Sequence, residues 1–154
     1  EQARRIIAVN VDGVFNTVLP LIPRLVARRR GQIALMASLA SFRGFPGAPA
    51  YCASKALVRV WGEALRPELA AYGVSLSVIC PGFVASRMTA VNRFWMPMLM
   101  SSERAAAIIK RGLARDRARI AFPWLLYAIT RLVAALPPAL MDPLLARLPQ
   151  KGAQ

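Results

Sequence analysis

Apolar residues at the start of the chain recur at intervals of three and four positions, the spacing of one face of an α-helix. This pattern predicts a helix over residues 2–29. Pro20 and Pro23 are expected to bend or break the helix in its second half. Arg28–Arg30 followed by Gly31 predict its end, because cations complement the helix dipole and glycine accommodates a left-handed cap. The apolar positions are Ile6, Ile7, Val9, Val14, Phe15, Val18, Leu19 and Ile22.

Two short, continuous apolar runs predict β-strands that are buried on both faces. The first is QIALMAS (32–38) and the second is VSLSVIC (74–80). A loop rich in glycine and proline follows the first run, and apolar periodicity then predicts a helix over 50–72. Pro67 is expected to interrupt that helix, and Gly73 to end it. A strand, a helix and a second strand in this order predict a parallel pair with a right-handed crossover.

The pattern is looser after Gly82, where methionine and aromatic residues are frequent. Ser101 or Ser102 as an N-cap predicts a helix that continues to Arg115. RIAF (119–122) predicts a short third strand, and prolines at 137, 138 and 143 divide the apolar stretch that follows. The alternation of strands and helices indicates an α/β fold, in which ligands bind at the carboxyl ends of the strands.

Composition and charge narrow the classes of function. The 154 residues suffice for one domain, and a hydrophobic fraction of 56% excludes a disordered chain. With 21 Lys and Arg against 7 Asp and Glu, the formal net charge is +14, which favours anionic partners such as acidic lipids or phosphorylated cofactors. No specific nucleic-acid partner is expected, because the arginine clusters at 28–30 and 111–119 are not interleaved with aromatic residues.

The residue types that are missing exclude several kinds of site. The chain has no histidine and only two cysteines, Cys52 and Cys80. A Cys/His zinc site, a Ser-His-Asp triad and a Cys-His pair are therefore excluded, and no metal is expected. No disulfide framework is expected either, which indicates a reducing, cytoplasmic location. A general acid or base must come from Tyr, Lys, Asp, Glu or Cys.

Tyr51 and Lys55 form the first candidate for chemistry, near the start of the helix predicted over 50–72. Residues separated by four positions share a helix face. A phenol has a reference pKa of about 10, and a nearby ammonium lowers it because it favours the phenolate. Such a pair can exchange a proton with an alcohol or a ketone near neutral pH.

Three further motifs occur at informative distances from Tyr51. Ser38, at the end of the first predicted strand, lies 13 positions before it, and Asn10 lies 41 positions before it. The segment PGFVASRMT (81–89) follows the second strand. Together with the Y-x-x-x-K motif, these residues make the chain, from residue 1 to Thr89, resemble the classical short-chain dehydrogenases/reductases.

The resemblance implies a role for each matching catalytic residue. Tyr51 matches the catalytic acid/base of the family, and Lys55 matches the lysine that tunes this tyrosine and binds the nicotinamide ribose. Ser38 matches the serine that donates a hydrogen bond to the substrate oxygen. Asn10 matches the asparagine that kinks its helix and holds a water molecule of the proton relay.

The resemblance also implies a cofactor, NAD or NADP. Pro81, Gly82 and Val84 match the loop beside the nicotinamide, where backbone groups of Val84 would hold the carboxamide. Ser86 stands where the family often has a threonine near the cofactor phosphates. The choice between NAD and NADP depends on a residue that lies upstream of this region in the family.

One expected part is absent from the sequence. The first strand of the family and its glycine-rich turn have no counterpart here, and no G-x-G-x-x-G-like run occurs. A complete doubly wound domain needs roughly a hundred more residues upstream. The predicted fold is therefore α/β, a partial doubly wound, Rossmann-like parallel sheet with flanking helices. Residues 1–122 form the C-terminal part of the Rossmann-like domain, and residues 123–154 form a helical C-terminal extension.

The function implied by the resemblance is NAD(P)-dependent hydride transfer between nicotinamide and a small alcohol or ketone. A hydrophobic substrate is suggested by the Met-rich segment 94–100, interpreted either as a lid or as ordinary packing, and by the apolar C-terminal region. Two alternatives stay open: an NAD-dependent epimerase or dehydratase, and a non-catalytic basic module that binds a membrane surface or a partner. Members of the family are usually oligomers, so we expect a homodimer or homotetramer that pairs the helices predicted over 2–29 and 50–72.

The C-terminal region over 120–148 has two interpretations. Trp124, Tyr127 and Arg131 are residue types typical of a membrane interface, which would make the protein peripheral at a membrane. Prolines and arginines interrupt the region too often for a span, which needs about 20 apolar residues. The other interpretation is a helical cap over the substrate cleft or a dimer surface.

Overall fold

The computed structural model describes residues 1–86, 89 and 96–145, and it shows the predicted α/β fold. Three strands and seven α-helices are present in these ranges, together with one π-helical turn and one 3-10 helix. In chain order they are α1 (Gln2–Ile7), the π-helical turn (Ala8–Asp12), α2 (Gly13–Val18), α3 (Ile22–Arg28), β1 (Gly31–Met36), the 3-10 helix (Leu39–Ser41), α4 (Pro49–Ala70), β2 (Val74–Pro81), α5 (Ser102–Ala114), β3 (Arg119–Phe122), α6 (Trp124–Ala135) and α7 (Pro138–Leu145).

The three strands form one parallel sheet in the order β1-β2-β3. Met36, near the end of β1, is opposite Ile79, and Pro81 at the end of β2 is opposite Phe122 of β3. The predicted parallel pair and the predicted third strand are therefore confirmed. Because the strands are parallel, their carboxyl ends share one edge of the sheet, and Ser38 lies at that edge.

Helices cover the sheet on both sides. On one side, Val58 of α4 packs with Leu35, Leu76 and Val78 of the sheet in the larger hydrophobic cluster. On the other side, α5 packs against β3 in a smaller cluster whose buried members are Ile79, Met100, Ala105, Ile120 and Phe122. The central strand β2 is buried on both faces, as predicted.

The prediction that β1 is buried on both faces is wrong. Ile33 and Leu35 are buried, whereas Gln32, Ala34 and Met36 are exposed. The reason is that α4 covers only the face of β1 that carries Ile33 and Leu35. Among the described residues, α5 contacts the other face through the Gln32 side chain, whose Nε2 donates to the Leu113 carbonyl at 2.8 Å.

The predicted helix over 2–29 is divided into three α-helices. The π-helical turn separates α1 from α2, and a turn that contains Pro20 separates α2 from α3, as the prolines predicted. The left-handed residue at the end of α3 is Arg29, with φ 49°, and not Gly31 as predicted. Gly31 instead allows a close approach, because a Cβ there would lie 2.7 Å from Leu25 Cδ2 and the Leu25 side chain would have to shift.

The prediction that Pro67 interrupts its helix is also wrong, because α4 runs unbroken over 22 residues. Packing against the sheet holds α4 together, and such packing outweighs the cost of one missing hydrogen bond. The approach is close at Gly62, where a Cβ would lie 2.6 Å from Leu35 Cδ1 and 2.8 Å from Val78 Cγ2.

The C-terminal helices begin and end largely where the sequence predicted. Ser101 caps α5, since its Oγ accepts a hydrogen bond from the Arg104 N–H at 3.3 Å. Prolines at 137 and 138 separate α6 from α7, but Pro143 lies within α7 and does not divide it. The Arg43 guanidinium holds the end of α6 by donating to the carbonyls of Val133 (3.1 Å) and Leu136 (2.9 Å).

One helical run among the described residues, Gln2–Arg28, is long and apolar enough to cross a membrane by length and composition alone. Its side chains nevertheless pack on α4. The Phe15 and Trp61 rings meet edge to face with their centroids 4.7 Å apart. We therefore treat this run as a helical layer of the α/β fold whose outer side is exposed.

Candidate active site

Ser38 joins the carboxyl ends of β1 and β2. It lies two residues after β1 and caps the 3-10 helix, because its Oγ accepts from the Ala40 N–H at 3.1 Å. The same hydroxyl approaches the Pro81 carbonyl at 3.5 Å. Ser38 is 9% exposed, so its hydroxyl is held in a nearly buried position at the edge where a ligand of this fold would bind.

Tyr51 and Lys55 lie on consecutive turns at the start of α4. The Lys55 Nζ is 6.0 Å from the centroid of the Tyr51 ring, which confirms that the two side chains share a face. Lys55 Nζ also donates to the Met36 carbonyl at 3.0 Å, so the lysine is anchored to the end of β1. Burial lowers the pKa of the Lys55 ammonium from its usual value.

Asn10 lies in the π-helical turn, where the resemblance implies a kinked helix. Its Nδ2 donates to the Ser54 hydroxyl at 3.1 Å, and that hydroxyl donates to the Tyr51 carbonyl at 2.8 Å. These two hydrogen bonds connect the turn that carries Asn10 to the turn of α4 that carries Tyr51. The π-helical geometry turns the Asn10 amide toward α4, and π-turns of this kind are frequent at functional sites.

Ser54 was missed by the sequence analysis. It is fully buried, and it is the group through which Asn10 reaches the Tyr51 turn. A signal was present, because a serine on the inward face of a predicted helix must satisfy its hydroxyl by bonding back to an earlier carbonyl. The Met36 carbonyl, which accepts a hydrogen bond from Lys55, could not be identified from the sequence, because every residue has a backbone carbonyl.

The loop after β2 is tied to the segment that precedes α5. The Ala85 N–H donates to the Met100 carbonyl at 2.8 Å, and the Met100 N–H donates to the Phe83 carbonyl at 3.0 Å. Gly82 N–H donates to the Phe122 carbonyl at 2.7 Å, which fixes the loop to β3 as well. These bonds hold the loop that begins at Pro81 beside the end of the sheet.

Val84 and Ser86 lie further along the same loop. The Val84 carbonyl accepts from Thr89 Oγ1 at 2.9 Å, whereas its N–H meets no acceptor in the described part of the chain. Ser86 is exposed, and its N–H donates to Thr89 Oγ1 at 2.8 Å. Thr89 is thus a second residue that the sequence analysis did not single out, and it closes the turn that shapes this loop.

The site residues form two groups around the carboxyl edge of the sheet. Hydrogen bonds connect Asn10, through Ser54, to the turn of Tyr51, and connect Lys55 to the end of β1. Ser38 and the loop from Pro81 to Ser86 form the second group, and the contact between Ser38 and Pro81 joins the two strand ends. Ser86 is the most remote member, bonded only within its own loop among the described residues.

The available donors fit a nicotinamide cofactor. One of the three N–H donors of the Lys55 ammonium is used at Met36, which leaves two for ribose hydroxyls. The unused Val84 N–H is a donor of the kind that a carboxamide oxygen requires. Tyr51 is half-buried, and its hydroxyl forms no hydrogen bond to a residue described in the structure, so it is available to a substrate oxygen.

Two further features lie near the site. Cys52 and Cys80 are buried, and burial raises the pKa of both thiols, that of Cys80 to about 11. Of the proposed lid over 94–100, residues 94 and 95 lie outside the described residues. Met98 and Leu99 are exposed and Met100 is buried, and the lid stays a prediction.

Comparison with known sequences identifies the family. The family model described as short chain dehydrogenase matches residues 1–96, a range that contains all eight predicted site residues. An uncharacterized oxidoreductase of Myxococcus xanthus is 42% identical over 148 residues, which cover 96% of this chain and 58% of that protein. The chain thus spans just under three fifths of the length of this relative.

Solved structures agree on the fold. A short chain dehydrogenase from Burkholderia cenocepacia in complex with NADP superposes with a TM-score of 0.77 at 24% identity, covering 92% of this chain and 58% of that one. A short-chain dehydrogenase from Sphingobium yanoikuyae in complex with NADPH superposes with a TM-score of 0.75 at 21% identity, covering 99% and 59%. The two structures show the same fold, and the family match over residues 1–96 and the Myxococcus relative show the family. The chain belongs to the short-chain dehydrogenase family of oxidoreductases.

Proposed function

We propose that the full-length protein transfers a hydride between a nicotinamide cofactor and an alcohol or ketone. The observation that supports this most directly is the pair formed by Tyr51 and Lys55. The phenol is unbonded within the described residues, and the lysine beside it is fixed to the end of β1 by the Met36 carbonyl. A fixed ammonium next to an available phenol is the arrangement that proton exchange with a carbinol or carbonyl oxygen requires.

The bound nicotinamide would supply the hydride for reduction or accept it during oxidation. Lys55 would hold the ribose with its two remaining donors, and the Val84 N–H would hold the carboxamide. The two structural neighbours are complexes with NADP and NADPH, which supports a nicotinamide cofactor for this chain. The proposal includes both NAD and NADP.

The residues of this chain would move the proton and hold the substrate oxygen. In reduction, Tyr51 donates its proton to the ketone oxygen, and in oxidation it removes the proton from the alcohol. The Ser38 hydroxyl would donate a hydrogen bond to the same oxygen as charge develops there. Its present contact with Pro81 is long, at 3.5 Å, so the hydroxyl loses little when it turns to a substrate.

A hydrophobic substrate is supported by the surroundings of the loop after β2. A cavity of about 260 Å³ is lined by Met98, Leu99, Met100, Arg104 and Pro123. Met100 connects this cavity to the loop through its two backbone hydrogen bonds to that loop. Methionine side chains adapt to varied apolar shapes, so an alcohol or ketone with a bulky apolar group is the proposed substrate class.

A homodimer or homotetramer is supported by the outer surfaces of the helices. Val9 and Leu19 in the N-terminal helical layer, and Leu57 and Val60 in α4, are large apolar residues that remain exposed. Exposed apolar residues on neighbouring helices are typical of subunit interfaces. We propose that these two helical layers pair in the oligomer.

The test is nicotinamide binding and turnover by the full-length protein, with bulky apolar ketones as substrates and NADH or NADPH as reductant. Tyr51→Phe is expected to lower kcat by about 10²- to 10⁴-fold while cofactor binding is retained, because it removes the proton donor alone. Tyr72→Phe is the matched control, since Tyr72 lies exposed beyond the end of α4 and should keep full activity. Absence of cofactor binding would favour the non-catalytic alternative, and equal activity of the two variants would contradict the role of Tyr51.

A further inference from the structure

The outer face of α6 is apolar and uncovered in the described structure. We define this outer face as Trp124, Leu125, Ile129 and Leu132, which are 75%, 41%, 48% and 68% exposed. The opposite side of α6 packs on the larger hydrophobic cluster. A surface helix normally presents polar residues to water, but Arg131 is the one charged residue of α6. The outer face of α6 is therefore a candidate for contact with another surface.

An arginine-lined cavity borders α6 at Tyr127. It has a volume of about 310 Å³, lies beside the edge strand β3, and is lined by residues of α5, β3 and α6. Four of its lining residues are arginines, namely Arg111, Arg115, Arg117 and Arg119. Tyr127 of α6 also lines the cavity, so the cationic groups adjoin the helix that carries the apolar face.

Three of these arginines have no acidic partner among the described residues. Arg119 is bonded to Glu63 and to the Tyr127 hydroxyl (2.9 Å), so its charge is already compensated. Asp116, the acidic residue adjacent to the others in sequence, pairs with Arg66 at 3.0 Å instead. The guanidinium groups that remain unpaired within the described ranges are those of Arg111, Arg115 and Arg117.

We propose that α6 docks on an anionic lipid surface. The outer face would enter the boundary between headgroups and acyl chains, with Trp124 at the level preferred by interfacial aromatic residues. Arg111, Arg115 and Arg117 would bind headgroup phosphates, for which guanidinium groups have the matching geometry. Because α6 has 12 residues and a span requires about 20, the helix lies in the plane of the membrane.

Charge decides between a lipid surface and a second copy of the chain. Two copies that met through the outer faces would bring two chains, each with a formal charge of +14, into contact. Such like-charge contacts are costly. An anionic bilayer offers apolar cover for the outer face and counter-charges for the arginines at the same time. The proposal does not depend on the proposed enzymatic function.

The test is co-sedimentation of the full-length protein with vesicles of phosphatidylcholine alone and of phosphatidylcholine mixed with phosphatidylglycerol. We expect binding to the mixed vesicles that weakens with added salt. Substituting Arg111, Arg115 and Arg117 together by Gln should weaken this binding by about a hundredfold, at about 1 kcal/mol for each arginine. Leu132→Gln should weaken it about tenfold, since less apolar surface enters the lipid.

The matched controls make the same change in charge or in apolar surface at positions outside α6 and the arginine-lined cavity. Arg4, Arg5 and Arg24 are exposed, and substituting them together by Gln removes the same charge from the N-terminal helices. Tyr72→Gln removes an exposed, largely apolar side chain beyond the end of α4. Both controls should bind vesicles nearly as the wild-type protein does. All of these positions are exposed, so thermal unfolding should be similar in every variant.

Three outcomes would overturn the proposal. The first is absence of binding to the mixed vesicles at low salt. The second is an equal loss in the Arg4, Arg5 and Arg24 control, which would mean that net charge alone drives binding. The third is a dimer of the wild-type protein in analytical ultracentrifugation that is absent from the Leu132→Gln variant. That result would assign the outer face to a second copy. A blue shift of tryptophan fluorescence on vesicle addition, lost in Trp124→Phe, is the direct supporting result.

Discussion

At the scale of single residues, the site depends on side chains that connect distant parts of the sequence. The spacing of Tyr51 and Lys55 could be predicted because it follows from the repeat of one helix. Ser54 and the Met36 carbonyl could not be predicted in the same way, because their importance comes from the packing of α4 against the π-helical turn and the end of β1. The sequence therefore predicted the groups that are proposed to react, but it did not predict the groups that hold them in place.

Ser54→Ala tests the connection between Asn10 and the Tyr51 turn. The change leaves the Asn10 amide without its acceptor, and we expect the free energy of unfolding to fall by about 1–3 kcal/mol. Urea denaturation of the full-length protein measures the change. Thr17→Ala is the control, because the Thr17 hydroxyl makes a comparable bond to the Gly13 carbonyl in an exposed position and should matter little. Equal losses in both variants would show that the buried hydrogen bonds of Ser54 contribute no more to stability than the exposed bond of Thr17.

The raised pKa of Cys80 predicts an inert thiol. With a pKa of about 11, only about one thiol in a thousand is ionised near pH 8, and the thiolate is the reactive form. We expect iodoacetamide to leave Cys80 and Cys52 unmodified in the folded protein and to modify both in urea. Peptide mass spectrometry identifies the labelled residues. Rapid labelling of folded protein at pH 8 would contradict the burial of these thiols.

The same shift predicts a loss of stability at high pH. Because the folded state holds the Cys80 proton up to about pH 11 while an ordinary cysteine loses it near 9.0, the unfolded state binds fewer protons between these values. The free energy of unfolding should therefore fall as the pH rises from 9 to 11. Cys80→Ala should reduce this fall, and a slope unchanged by the substitution would assign the pH dependence to other groups.

At the scale of elements, the helices and strands follow the apolar pattern, and the deviations occur where tertiary contacts decide. The third strand matched its predicted residues, 119–122, since three consecutive apolar residues, Ile120 to Phe122, follow a turn and Arg119. The two faces of β1 could not be distinguished in sequence, because exposure depends on whether a helix covers the sheet there. Pro67 lies in an unbroken helix for the same reason, since packing of α4 outweighs a local preference.

Gly62→Ala tests the close approach of α4 to the sheet. The added methyl group would collide with Leu35 and Val78, so we expect the free energy of unfolding to fall by about 1–3 kcal/mol. Gly13→Ala is the matched control in α2, where the nearest atom to an added Cβ is 3.7 Å away. That change should stabilise the protein by about 0.4–1 kcal/mol. Stabilisation by both substitutions would show that α4 has room to move away from the sheet.

At the scale of the whole molecule, apolar packing and a few polar groups attach the C-terminal helices to the α/β sheet. The division into residues 1–122 and 123–154 stays a prediction, and contacts cross it at the loop after the 3-10 helix. The Phe42 ring packs on Tyr127 with centroids 5.5 Å apart, and Arg43 caps the end of α6. In the described structure, the high apolar content corresponds both to the buried sheet and to apolar residues that remain exposed on the helices.

Arg43→Met tests this attachment. The variant loses the two hydrogen bonds to the carbonyls of Val133 and Leu136, and we expect amide hydrogen exchange in α6 to become at least about tenfold faster. Exchange in α4 should stay unchanged. Arg24→Met serves as the control, since Arg24 is exposed in α3. Unchanged exchange in α6 would show that apolar packing alone holds the helix.

Arg43 lies five positions after Ser38, and this short distance along the chain has a consequence for how substrate reaches the site. A protein that rested on a bilayer through α6 would keep the serine hydroxyl at a constant height above the lipid. An apolar ketone dissolved in that bilayer would then meet the site by lateral diffusion in two dimensions, without crossing bulk water. The rate of encounter would follow the amount of substrate per unit area of membrane rather than its concentration in solution.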